Sequence, residues 1–259
     1  MLEKRLVGVV TVREGWAVQS FGYRRYLPLG RPEVLVANLD RWGADEILLQ
    51  CIDRTQAATG PDLDLLAKVS RKGLSTPLIY AGGIRSAEDA VAAVKAGADR
   101  VCLDALLHRN LQRAQDVAGP LGAQAVVASL PLAWGTTGLQ WLDYTSGANR
   151  TLEPALLEAL RQGAISEALI IDWQAEGHAG AFDARLLESP ALSGIPLIAF
   201  GGLSDAAIVR SVLSMPNVVA VAQGNFLNYR EHAVQALKEQ LHGLPVRRPE
   251  YGRSEPRKT

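Results

Sequence analysis

One ten-residue stretch occurs twice in this chain, half its length apart, and that repetition limits the possible folds more than any other feature. Pro77-Leu-Ile-Tyr-Ala-Gly-Gly-Ile-Arg-Ser86 returns about 120 residues later as Pro196-Leu-Ile-Ala-Phe-Gly-Gly-Leu-Ser-Asp205. Each copy runs from a short apolar segment through two glycines into the polar start of an amphipathic helix. Glycine pairs let backbone N–H groups face an anion with no Cβ in the way, and the helix behind them adds its positive end. Gly82 and Gly83, and Gly201 and Gly202, are therefore candidate phosphate grips. Gly224 and Asn225, in Ala222-Gln-Gly-Asn225, extend the second one. Tight turns alone would also use these glycines, but the symmetric recurrence, each pair opening a helix, favours binding.

Short apolar runs alternate with helical patterns along the whole chain. The runs are Leu6–Val12, Glu46–Ile52, Pro77–Tyr80, Arg100–Leu103, Ala125–Ser129, Ala168–Asp172, Pro196–Phe200 and Val218–Ala222. Helical patterns fall at Pro32–Trp42, Pro61–Lys72, Ala87–Ala96, Glu153–Gln162, Asp205–Leu213 and Tyr229–Leu241. Continuous apolar strands separated by helices indicate a parallel sheet covered on its outer face. Eight such units predict an α/β fold, a (β/α)8 TIM barrel with a half-barrel internal duplication. A doubly wound open sheet is the competitor, and it leaves the half-chain repeat unexplained. The expected organisation is one barrel over residues 1–244 and a tail, 245–259, whose Arg, Pro and Glu content suggests fraying or disorder.

With 27 basic and 27 acidic residues, the chain offers no net charge for nucleic acid, and no basic cluster is interleaved with aromatics. It has neither a signal-peptide pattern nor an apolar run long enough to span a bilayer, so a cytoplasmic protein without membrane attachment is expected. Cys51 and Cys102 lie in apolar runs and read as buried, reduced thiols. His108, His178, His232 and His242 show no metal-ligand spacing, and neither a metal nor a cofactor is expected.

In Met1-Leu-Glu-Lys-Arg-Leu6, Gly43-Ala-Asp-Glu46, Ala81-Gly-Gly-Ile-Arg85, Gly97-Ala-Asp-Arg100, Gly122-Ala-Gln-Ala-Val-Val127, Glu167 through Asp183, and Phe200-Gly-Gly202, the chain resembles the histidine-biosynthesis barrels. Among these it is most similar to the cyclase subunit of imidazole glycerol phosphate synthase, over about residues 2–242. The resemblance implies a bis-phosphate nucleotide bound across the barrel top, and ammonia delivered through the barrel from a glutaminase docked below. It also implies two carboxylates, after strands one and five, as general acid and base. Those positions read here as Thr11 and Leu130, which have no carboxyl to exchange protons. Gln19 stands for a lysine, Cys51 for an aspartate, Asp104-Ala105 for Asn-Thr, and Glu176 for an aspartate. Asp53, Asp104 and Glu176 are the possible substitutes for the missing acids, with Asp172 a further strand-end acid, while His178 reads as a solvated loop residue.

The lower mouth keeps the family pattern. The resemblance implies a charged ring around the ammonia entrance, formed here by Arg5, Glu46, Arg100 and Glu167, and a partner surface that includes Asp99 and Gln124. Ordinary pre-strand charges would explain Glu46 and Glu167, but four retained charges on a narrow ring call for more, since buried ion pairs are poor stabilisers. The expected protein is a cyclase-like barrel of a glutamine amidotransferase complex. It binds a phosphorylated small molecule and conducts ammonia from a glutaminase of the class I amidotransferase type. It is similar in this to the cyclase-like subunits that accompany sugar amidotransferases of surface-polysaccharide pathways, which keep an Ile-Asp pair like Ile52-Asp53. The alternative readings are a working cyclase subunit with relocated acids, and an isomerase-like relative that never meets ammonia. Phe21-Gly-Tyr-Arg-Arg25, in the loop after strand one, is either a new binding element or a solvated loop, and the solvated loop is the favoured reading.

Overall fold

A computed structural model describes residues 3–136, 138–228 and 230–251. The chain folds into a closed barrel of eight parallel strands with helices between them. In chain order the strands are β1 (Arg5–Arg13), β2 (Trp16–Phe21), β3 (Arg25–Gly30), β4 (Glu46–Cys51), β5 (Leu78–Ala81), β6 (Arg100–Leu103), β7 (Val126–Gly135), β8 (Gly138–Asp143), β9 (Ala148–Arg150), β10 (Glu167–Asp172), β11 (Leu197–Phe200) and β12 (Val218–Gln223). The barrel strands are β1, β4, β5, β6, β7, β10, β11 and β12, and β12 pairs back onto β1 to close the sheet. Each apolar run expected to be a strand is one, with ends shifted by a residue or two, except that β7 runs six residues beyond the expected Ser129.

The period-two alternation of each strand sorts side chains into two separate clusters. Val7, Val9, Leu48, Ile79, Cys102, Val127, Leu169, Ile171, Ile198 and Phe200 pack inside the barrel. Leu6, Val10, Ile47, Leu49, Val101, Val126, Ala128, Leu130, Ile170 and Val221 face outward against the helices. Because both faces are covered, the strands read as unbroken apolar runs.

Helices start where the sequence supplies caps. Ser86 accepts from the N–H of Asp89 to open the helix Ala87–Lys95, and the Asp205 carboxylate accepts from Ala207 and Ile208 to open Ala206–Leu213. Such caps contribute about 1 kcal/mol each. Among the described residues no helix is long and apolar enough to cross a membrane.

Two features depart from the expectations. β1 and β7, the first strands of the two halves, each run on past the barrel rim and fold back as antiparallel hairpins: β1 into β2 and β3, β7 into β8 and β9. The expected fraying of the tail does not hold for Pro245–Tyr251. Lys4 N–H donates to the Pro245 carbonyl at 2.6 Å, and Arg247 pairs with Asp45 at 3.0 Å. Gln235 donates to the Glu250 carbonyl, and the Tyr251 hydroxyl donates to Glu239. Composition misleads here because backbone and charge contacts to the barrel's N-terminal end replace an apolar core. The rest of the expected tail, 252–259, lies outside the described residues.

Candidate functional site

At the N-terminal end of the barrel, Arg5, Glu46, Arg100 and Glu167 close into a ring. The inward alternation of β1, β4, β6 and β10 places one charged residue at the start of each strand. Arg5 Nη1 lies 2.9 Å from Glu46 Oε2, and its Nη2 lies 2.6 Å from Glu167 Oε1. Arg100 Nη1 and Nη2 reach the remaining oxygens of Glu46 and Glu167 at 2.9 Å each. Every carboxylate bridges both guanidiniums and every guanidinium bridges both carboxylates. Burial opposes the charge on Arg100, but Glu167 and Glu46 outweigh it and hold that guanidinium above its usual range. Above the ring the barrel is lined by Val7, Leu48, Val127 and Leu169.

Asp99 and Gln124, the expected partner-facing residues, are both exposed at this end. The Asp99 carboxylate accepts from the Leu78 N–H at 2.7 Å, and the Gln124 carbonyl accepts from Arg100 Nε at 3.0 Å. Asp99 therefore fixes strand register, and Gln124 orients a ring arginine.

The opposite end opens into a cavity of about 290 Å³. Its floor includes Gln50, Ala81, Ser129 and Ile171, its walls Asp104, Pro131, Leu142 and Tyr144, and its lid Tyr23, Arg24, Tyr26 and Trp173. The first hairpin and the loop after β10 build the lid, and the second hairpin supplies Leu142 and Tyr144 to the wall. The segment Phe21–Arg25 is thus not a solvated loop: Tyr23 turns inward and its hydroxyl donates to Gln50 Oε1 at 3.3 Å. Buried Glu176 holds this turn, accepting from Ser20 Oγ at 2.9 Å and from the Tyr23 N–H at 3.2 Å. Burial pushes the Glu176 carboxyl above the ordinary carboxylate range.

The candidate acids separate sharply by position. Asp104 is the only carboxylate among the described residues that line the cavity. It accepts from Tyr144 Oη, from Thr55 Oγ1 at 3.1 Å and from the Ala105 N–H, and burial nevertheless pushes it upward. Asp53 lies outside the cavity, where its carboxylate accepts from the Glu14 N–H at 2.8 Å and ties the first hairpin down. Asp172 points outward from β10 and accepts from the N–H groups of Ala175 and Asp183. His178 is exposed, as its loop position suggested, with its ring edge against Phe21.

Thr11 alternates with Val7 and Val9 and so faces the barrel interior. Leu130 does not: it packs in the outer cluster, fully buried, and the residues of β7 that line the cavity are Ser129 and Pro131. A one-residue slip along a strand exchanges its faces. The correction leaves the chemistry unchanged, because proline carries no proton either. Cys51 likewise belongs to the outer cluster, beside Tyr80, and burial raises its thiol to about 12.

The glycine pairs prove to be symmetric close approaches. A Cβ on Gly82 would lie 2.3 Å from the Cys51 carbonyl oxygen at the end of β4, and one on Gly201 would lie 2.4 Å from that of Asp172 at the end of β10. Gly83 and Gly202 share a φ near +70°, at +70 and +69. The two copies differ in what remains free. In the first, the Gly83 N–H donates to Thr55 Oγ1 at 3.0 Å, and Asp89 takes the Arg85 N–H. In the second, Gly201, Gly202, Gly224 and Asn225 line a recess of about 10 Å³ with Glu176, room for about one water. In the first pair one donor is taken by Thr55 while Gly82 lines the mouth cavity; the second recess stays open but small.

Sequence reasoning missed Tyr144 and Pro131, and it set Tyr23 and Arg24 aside by favouring a solvated loop over a binding element for Phe21–Arg25. A hairpin signal was present in Glu14-Gly15 and in Ser146-Gly147, both between β-rich runs. It was masked by reading each strand as ending at the rim.

A family profile described as "Histidine biosynthesis protein" matches residues 5–233. The chain is 28% identical over 254 residues to imidazole glycerol phosphate synthase subunit HisF of Staphylococcus carnosus, covering 95% of this chain and 99% of that protein. It is 30% identical over 230 residues to the subunit HisF of Exiguobacterium sibiricum, covering 82% and 91%. It is 26% identical over 251 residues to a putative imidazole glycerol phosphate synthase subunit hisF2 of Vibrio vulnificus, covering 95% and 91%.

Proposed function

Since this chain belongs to the histidine biosynthesis protein family, we propose that it is a HisF-like barrel that passes ammonia to a phosphorylated ligand but does not close the imidazole ring. A glutaminase docks on the N-terminal end, beside Asp99 and Gln124, and releases ammonia below the charged ring. The ring sorts by charge. An ammonium ion meets two guanidiniums and must shed water; a neutral ammonia molecule loses little on entering, and the apolar lining of Val7, Leu48 and Leu169 carries it on. Passage requires one guanidinium–carboxylate contact to swing aside, since all four are closed at rest.

One contrast carries this reading: the ring is complete, while Thr11 on the inward face of β1 and Pro131 in the cavity lining stand where an acid–base pair would work. Loss of one positioned acid or base removes roughly 10²–10⁴ in rate. In the first glycine pair the Gly83 N–H is already bonded to Thr55, which weakens that pair as a second phosphate site. The phosphate site of this reading is the lid or the outer edge of the small recess formed by Gly201, Gly202, Gly224 and Asn225, and the acceptor is a sugar whose amidation a third protein completes. A second reading keeps cyclisation and moves proton transfer to Asp104, which burial makes a better base than an ordinary aspartate.

The deciding experiment supplies the purified protein with ammonia and the nucleotide substrate of imidazole glycerol phosphate synthase, alongside complementation of a histidine auxotroph. The proposal expects no turnover above background and no growth. Robust turnover that vanishes in Asp104→Asn establishes the second reading instead.

A further inference from the structure

The mouth cavity contains a donor pair that the ammonia reading leaves without a role. Arg24 sits at the turn between β2 and β3, lines the cavity, and holds its guanidinium 5.8 Å from the Trp173 ring centroid. Among the described residues its side chain has neither an ion pair nor a hydrogen bond. Nearby arginines differ: Arg54 donates to the carbonyls of Thr59, Gly60 and Pro61, and Arg85 pairs with Asp89. The Trp173 indole, also part of the cavity lining, has a buried N–H with no partner. An unpaired guanidinium held over an indole within cation–π range is an anion receptor, and that contact restricts the rotamers that binding must otherwise freeze.

The rest of the cavity narrows the ligand. At about 290 Å³ it stands at the small end of ligand pockets, enough for one ring and one charged group. Tyr23, Tyr26, Tyr144 and Trp173 supply flat apolar faces. Asp104 supplies an acceptor, and Gln50 and Ser129 supply both donors and acceptors. With the Gly83 N–H already bonded to Thr55, the first glycine pair offers that donor to no phosphate.

We infer that the mouth cavity binds a single-ring, hydroxyl-bearing monophosphate, its phosphate held by Arg24 above Trp173 and its hydroxyls by Asp104 and Gln50. The anion anchor of this barrel is then the lid hairpin of the first half rather than the glycine loops. This inference names the ligand class of the proposed function but needs no glutaminase. A failed ammonia-coupling assay with binding intact removes only the ammonia reading.

Isothermal titration calorimetry on the full chain tests it with ribose 5-phosphate, AMP, inorganic phosphate and ribose as probes. Arg24→Gln weakens ribose 5-phosphate by roughly 10- to 100-fold, the value of one charge-assisted contact, and leaves ribose unchanged. Arg24→Lys restores part of the loss. Asp104→Asn weakens ribose 5-phosphate and leaves inorganic phosphate unchanged. AMP binding tighter than ribose 5-phosphate overturns the single-ring assignment, whatever Arg24→Gln does. Equal affinities in wild type and Arg24→Gln overturn the inference. So does the absence of binding by every phosphorylated probe, or a loss seen only in Asn225→Ala.

Discussion

Removing Arg5 opens the charged ring on one side, and its consequences can be worked from the contacts. Arg5→Ala deletes two charge-assisted bonds, at 2.9 and 2.6 Å, and leaves Glu46 and Glu167 each holding only Arg100. A hydrogen bond to a charged group contributes about 1.5–3 kcal/mol net, so two fully buried ones sum to roughly 3–6. The Arg5 side chain is 24% exposed and its carboxylates keep their second partner, so water restores about half of that. The expected loss is about 2–3 kcal/mol, a fall of about 1 M in the urea midpoint at a slope near 2–3 kcal/mol/M. Arg100→Ala costs more, since Arg100 is only 13% exposed and also binds Ser166 Oγ and the Gln124 carbonyl. A double-mutant cycle of Arg5 with Glu46 gives a coupling energy of about 1–2 kcal/mol. In complex with a glutaminase, Arg5→Ala leaves glutamine hydrolysis running and lowers the fraction of ammonia that reaches product. A stability loss below about 0.5 kcal/mol, or Arg100→Ala milder than Arg5→Ala, refutes the closed ring. Unchanged coupling with the expected stability loss refutes the gate alone.

Three further outcomes follow from particular residues. Because burial raises the Asp104 carboxyl, the folded state holds its proton at pH values where the unfolded chain has released it; wild-type stability therefore falls as pH rises from the ordinary aspartate value through the folded one, and Asp104→Asn removes that part of the slope in urea titrations at pH 4 to 7. Leu130→Ala costs about 2–5 kcal/mol in the same assay while leaving ligand affinity in the mouth unchanged; an affinity change with little stability loss contradicts its outward placement. Asp45→Ala strands the buried Lys238 ammonium, which donates to Asp45 at 2.7 Å, and lowers stability by about 3–5 kcal/mol, more than truncation after Leu244 does; the reverse order contradicts a buried pair beneath the tail.

Much of the fold was legible because the physics of a parallel barrel is local and repeated. A strand buried on both faces must be apolar throughout, a helix between strands must carry one apolar stripe, and a duplicated half repeats both at a fixed interval. The ring was legible through the family resemblance, which points to one charge at the start of each of four otherwise apolar strands, and the four ion pairs close there. The mouth was not. Whether Leu130 or Pro131 faces the cavity turns on one residue of register, which alternation inside a continuous apolar run does not reveal.

The amino-acid order alone set the eight barrel strands, the twofold internal repeat and the absence of a carboxyl group at Thr11, Leu130 and Pro131. Tertiary structure alone decided that the rim strands fold back over the mouth, that Thr55 takes the Gly83 N–H of the first glycine pair, and that Asp104, of all the strand-end acids, meets the cavity. The physical reason is range. Burial and periodicity act between neighbours along the chain, whereas a site is made by residues such as Arg24, Asp104 and Trp173 that share no local constraint and meet only when the barrel closes.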